Sequence, residues 1–145
     1  MALTAQNRML HEHDCARIIR HSFNLTDARA FDRLLALFTD DAVVIRPSKP
    51  DAPLVGKAAI AADYAARPPD RLTFHLCTNI VVDLLSDVRA EAYCHVLLYS
   101  AHAGAAATLP VAAPTQYAGE YRDTLVRSDA GWRFRARNGR MILYT

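Results

Sequence analysis

Apolar residues recur at helical spacing through residues 14–38, first as Ile18, Ile19 and Phe23, then as Phe31, Leu34, Leu35, Leu37 and Phe38, with a polar stretch at 24–27 between them. This spacing predicts two helices joined by a kink or short turn. Thr26 and Asp27 have the side-chain oxygens that accept the free amide hydrogens of a first helical turn, so they suit the N-cap of the second helix. TDDAVVIR at 39–46 leaves the helix and carries Val43, Val44 and Ile45, which predicts a short strand. Prolines at 47, 50 and 53 make 47–56 read as a rigid loop, and the alanine-rich 57–67 reads as a third helix stopped by Pro68 and Pro69.

The second half has a different period. Residues 72–85 alternate, Ser-Asp-Val at 86–88 offers a turn, and 89–100 forms the partner strand of a long hairpin. The stretch 101–114 has neither period nor charge and reads as a loop. Strands are expected at 115–127 and 132–144, joined by the Ser-Asp-Ala-Gly turn at 128–131. Helices first and an antiparallel meander afterwards predict a single α+β domain over 1–145, with the helices covering one face of a curved sheet.

Composition narrows the function classes. Seventeen basic and fifteen acidic side chains, scattered along 145 residues, offer no stripe for nucleic acid. There is no apolar run long enough for a membrane span and no apolar stretch of the secretory kind at the start, so a cytoplasmic protein is expected. Cys15, Cys77 and Cys94 contain no CxxC pair, which argues against a disulfide framework and a structural zinc. HEHD at 11–14 places its histidines two apart, where they diverge on a helix, so a solvated helix start is preferred to a metal site.

Four segments carry a resemblance: LTDARAFDRLLALFTDDAVV at 25–44, VGKAAIAADY at 55–64, FHLCTNIVVDLLSDVRAEAYCHVLLY at 74–99 and GEYRDTLVRSDAGWRFRAR at 119–137. In this order and spacing the chain resembles the NTF2-like superfamily, in its SnoaL-like branch, with a pattern similar to scytalone dehydratase and hexachlorocyclohexane dehydrochlorinase. The resemblance implies a cone-shaped fold, a strongly bent, mainly antiparallel sheet wrapped round N-terminal helices with an apolar pocket in its mouth. It also implies a histidine that moves a proton on an apolar substrate, oriented by an aspartate between the first two helices. Those roles fall on His75 and Asp27. The pairing suits the chemistry, because imidazole titrates near neutrality and a carboxylate on its other nitrogen fixes the tautomer and stabilises the cation.

Two departures from the dehydratase pattern, Ser100 in place of a second histidine and Thr26 in place of a tyrosine, argue against dehydration of that enzyme's substrate. Ser100 is a candidate hydrogen-bonding partner for a ligand. Asn79, on the strand face of His75 by simple alternation, is a candidate donor, and Asn138 and Arg140 continue the Trp132 face towards the pocket mouth. By the same alternation Arg133, Arg135 and Arg137 form a wet outer face. On 89–100, Ala90, Ala92, Cys94, Val96 and Leu98 suit the face under the helices. Tyr93, Leu97 and Tyr99, with some of Phe74, Leu76, Ile80 and Val82, leave apolar area outside, which predicts a homodimer through the outer sheet face. The expected function is a small enzyme, needing no cofactor, that performs an elimination, isomerisation or cyclisation on an apolar small molecule. The alternatives are a non-catalytic ligand-binding or dimerisation module, and a β-type subunit of a ring-hydroxylating oxygenase, a class that shares this fold.

Overall fold

The first helix is longer than its apolar pattern. In the computed structural model, which describes residues 3–103 and 114–145, α1 runs Ala5–Asp27, started by Thr4, whose Oγ1 accepts the Asn7 amide at 3.1 Å. The polar residues at its end continue the helix because their hydroxyls are satisfied within it. Ser22 donates to the Ile19 carbonyl at 2.7 Å and Thr26 to the Ser22 carbonyl at 2.8 Å. The break falls after Asp27, where Arg29 takes a φ of 54°, and α2 (Phe31–Leu35) begins without a side-chain cap. The capping role expected for Thr26 or Asp27 is therefore corrected, and the Asp27 carboxylate is left for other partners.

Strand β1 (Phe38–Arg46) is followed by β2 (Lys49–Val55) where a loop is expected. The prolines are tolerated because β2 is the outermost strand on its side, and an edge strand can lack amide donors facing solvent. Gly56, with a φ of 86°, turns the chain into α3 (Lys57–Ala65). Four fourteen-residue strands follow, β3 (Arg71–Leu84), β4 (Arg89–His102), β5 (Thr115–Ser128) and β6 (Gly131–Tyr144). β4 takes in two residues of the loop expected at 101–114; of that loop, 104–113 lie outside the described residues.

The sheet order is β2-β1-β6-β5-β4-β3, antiparallel except for the parallel β1–β6 pair, which makes a curved, open, mixed sheet. Its concave face holds the core. Cys15, Ile19 and Phe23 of α1 pack with Leu34, Phe38 and Ile60 against Ala90, Cys94, Leu125 and Phe134. Small side chains on β4 let α1 lie close to the sheet, and each large buried side chain stabilises by about 1.5–3 kcal/mol. The three cysteines are free thiols, and burial pushes the thiol of Cys15 up to about 12.

Two bulges decide which side chains face the concave side. In β3 the pairing skips between Thr78 and Val81 at Asn79, whose φ is 52°. Ile80 and Val82 therefore turn into the core, while Phe74 and Leu76 stay outside. In β6 the pairing skips Arg135, so Phe134 faces Leu125 and Ala136 faces Thr124. Beyond that point Arg137 points inwards and Asn138 and Arg140 outwards, the reverse of simple alternation. Among the described residues no helix is long and apolar enough to cross a membrane.

Candidate active site

The open end of the sheet's concave side holds a cavity of about 250 Å³. Phe23, Val44, Val96, Leu98, Tyr121 and Met141 supply its apolar wall. His75 and Thr73 enter from β3, and Arg46, Arg67, Arg71 and Arg137 add guanidinium groups.

His75 is placed by the sheet edge. β3 is the last strand on its side, so the backbone amide of His75 has no ladder partner, and a buried amide needs an acceptor. Asp27, at the end of α1, supplies it. Its Oδ2 accepts the His75 amide at 2.8 Å, while Oδ1 accepts the Thr73 hydroxyl at 2.8 Å and meets Nδ1 of the His75 ring at 2.5 Å. A carboxylate accepts only, so Nδ1 carries a proton, and Nε2 is free of the contact with Asp27. The ring stacks on Phe23, with centroids 5.2 Å apart. Burial alone would push the Asp27 carboxyl up, but the hydrogen bonds from the His75 ring and amide, the imidazolium charge and the Thr73 hydroxyl together hold it below its ordinary value.

Arg137, read from the sequence as a surface residue, is 6% exposed and lines the cavity. Its Nε and Nη2 donate to the two carboxylate oxygens of Asp123 at 3.0 and 3.2 Å, and its Nη1 donates to Ser22 at 2.6 Å. The rings of Phe23, Tyr121 and Phe134 surround the guanidinium at 4.3–4.8 Å. Burial opposes its charge, yet the Asp123 carboxylate outweighs that and raises its pKa further.

The other expected site residues lie elsewhere. Ser100 is outside the cavity lining, and its hydroxyl accepts Nε of Arg71 at 3.3 Å. Asn79, Asn138 and Arg140 are exposed on the outer face. Asn79 contacts His95 Nδ1 at 3.0 Å, and Arg140 donates to Glu120, which also accepts the Tyr93 hydroxyl at 2.7 Å. Their expected place at the pocket is corrected by the two bulges. His11 of the HEHD stretch accepts the Trp132 indole N–H at 3.3 Å. Sequence reasoning missed Arg71, although Arg71, Thr73 and His75 stand at the two-residue spacing of one strand face.

Residues 7–138 match the SnoaL-like domain family. The chain belongs to the SnoaL-like family. The NTF2-like cone fold agrees with solved structures. A protein assigned as a scytalone dehydratase from Novosphingobium aromaticivorans superposes with a TM-score of 0.82 at 22% identity, over 98% of this chain and 91% of that one. A hexachlorocyclohexane dehydrochlorinase, LinA type 2, gives 0.81 at 19% identity, over 98% and 92%. ActVI-ORFA from Streptomyces coelicolor gives 0.71 at 22%, over 89% and 95%. No curated protein sequence matches the chain. At these identities the SnoaL-like chain shares a fold with those structures, and its chemistry has to be argued from its own residues.

Proposed function

We propose that this SnoaL-like protein is a small acid–base enzyme in which Nε2 of His75 takes and returns a proton on a small, largely apolar molecule. The contact of His75 Nδ1 with Asp27 at 2.5 Å carries the reading, because that carboxylate is itself held by Thr73 and by the His75 amide and so fixes both tautomer and ring. An imidazole oriented in this way, in an apolar cavity, suits removal of an acidic C–H next to a carbonyl or leaving group. Elimination, isomerisation and cyclisation all begin with that step. The neighbouring dehydratase and dehydrochlorinase folds agree with this class.

Exchange of the α-protons of 2-tetralone in D₂O, followed by NMR, tests the proposal without knowledge of the physiological substrate. The wild-type protein should accelerate exchange, and His75→Ala should lower the rate by about 10²–10⁴-fold. Exchange at an equal rate in the His75 variant would remove the mechanism.

We further propose a homodimer through the outer sheet face. Phe74 is 60% exposed there, beside the exposed Leu76 and Leu97, and these apolar side chains would be covered by a second copy of the face. Light scattering at micromolar concentration should give twice the chain mass, and Phe74→Glu should shift it to the monomer.

A further inference from the structure

Four guanidinium groups line a cavity whose walls are otherwise mostly apolar. They are not equally committed. Arg137 is spent on Asp123 and Ser22. Arg46 and Arg67 share one carboxylate, Asp63, which pairs closely with Nη1 of Arg46 and lies 3.7 Å from Nη2 of Arg67. The Nε of Arg46 is buried without a hydrogen-bond partner. Arg71 has no carboxylate within ion-pair distance among the described residues, its neighbour Asp70 being taken by His102 at 3.2 Å. The stretch 104–113 contains no acidic residue that could supply one.

Arg71 is nonetheless placed and not merely solvated. Ser100 holds its Nε at 3.3 Å, and its backbone amide donates to the Pro68 carbonyl at 3.2 Å. Arg29 donates to the carbonyls of Arg67 and Pro68 at 3.2 and 3.1 Å, which fixes the turn between α3 and β3. The Arg67 guanidinium lies over the Tyr64 ring at 4.0 Å. With Nε anchored, the four remaining N–H donors of Arg71, which have no acceptor among the described residues, form a planar fork on the same strand face as His75. Counting Arg46, Arg67 and Arg71 against Asp63, two positive charges in this part of the lining have no carboxylate partner of their own among the described residues. A half-buried guanidinium fork with no protein anion is matched in shape and charge by a carboxylate.

We infer that the ligand of this cavity is an apolar molecule bearing a carboxylate, bound by the fork of Arg71 with Arg46 and Arg67 adding to the field. Ser100 is then a positioning residue for Arg71. Four residue steps of strand separate Arg71 from His75, about 13 Å between their Cα atoms, so a molecule that reaches both has the length of a bicyclic acid, beyond that of acetate. The inference rests on the proposed role of His75 only for which end of the ligand reacts; the carboxylate site stands on the arginines alone.

Calorimetric titration with 2-naphthoate and with its neutral isostere 2-naphthamide separates the two questions. The wild-type protein should bind the naphthoate at least tenfold more tightly, with the preference shrinking as sodium chloride is added. Arg71→Gln should bring the two ligands to parity. Arg71→Lys, which keeps the charge and loses the fork, should retain part of the preference. His75→Gln should leave the preference intact while abolishing proton exchange, so loss of the proposed catalysis and loss of the carboxylate site give different results. Equal affinities in the wild-type protein, an unchanged preference in a folded Arg71→Gln variant, or no binding of either ligand at millimolar concentration would each overturn the inference.

Discussion

Two side chains of the cavity lining are each held by a carboxylate, His75 by Asp27 and Arg137 by Asp123, and the ring of Phe23 lies between them, 5.2 Å from the imidazole and 4.6 Å from the guanidinium. Both pairs are hydrogen-bonded, and the base of each faces the same space. They differ in what remains free. Arg137 uses three nitrogens on protein oxygens, is enclosed by aromatic rings and cannot lose its proton, so the pair ties α1 to β5 and β6. His75 engages one ring nitrogen with Asp27 and keeps the other free of that contact, on a side chain that can both take and give a proton. A buried ion pair is thus no sign of catalysis by itself; a group has to retain a site for the substrate and a protonation state that can change.

The contrast can be broken most sharply at Asp123, which is 3% exposed. Asp123→Ala leaves Arg137 buried and uncompensated, and urea denaturation should show a loss of about 3–5 kcal/mol. Replacing both partners by apolar residues, Asp123→Leu with Arg137→Met, should recover most of that loss, to within about 1 kcal/mol of the wild-type protein. Failure of the double variant to recover would mean that Arg137 supports the fold through more than its pairing with Asp123.

Asp27→Asn should do the opposite. It should lower proton exchange by about 10²-fold or more, because the amide no longer stabilises the imidazolium, at a stability cost of about 1 kcal/mol. Asp27 should also leave a mark at acid pH. Its carboxyl is held below the ordinary value in the folded chain, so its contribution to stability is complete above the ordinary carboxylate range and is lost as pH falls through the lowered folded value. The difference in denaturation midpoint between the wild-type protein and Asp27→Asn should therefore narrow on acidification; a difference constant with pH would break the assignment. The smallest effect is expected at the β3 bulge. Asn79→Gly, at a φ of 52°, should change stability by no more than about 0.5 kcal/mol, whereas Asn79→Val should be clearly destabilising by the same denaturation measurement.

The order of helices and long strands was legible because each element has one apolar face and the periods 3.6 and 2 are distinct. Asp27 and His75 were legible through a family pattern, since neither residue alone separates a proton relay from a cap or a half-buried ring. Arg137 was hidden by a bulge. One extra residue at Arg135 exchanges the faces of the residues that follow as far as a second skip at Ile142, which carries Arg137 in and puts Asn138 and Arg140 out, and periodicity does not report where that residue falls. The same slip at Asn79 takes that side chain from the expected cavity to His95 on the outer face. β2 was hidden by prolines, which an edge strand accepts and a central one does not.

Asp27 covers the amide of His75 on the last strand of the sheet, at an edge where another chain would otherwise be able to pair. The carboxylate thus guards the protein against adding a foreign strand as well as orienting an imidazole. An acceptor at position 27 therefore has a structural use separate from any proton transfer by His75. An aspartate at this position in a relative is on that account weaker proof of catalysis than the histidine it touches.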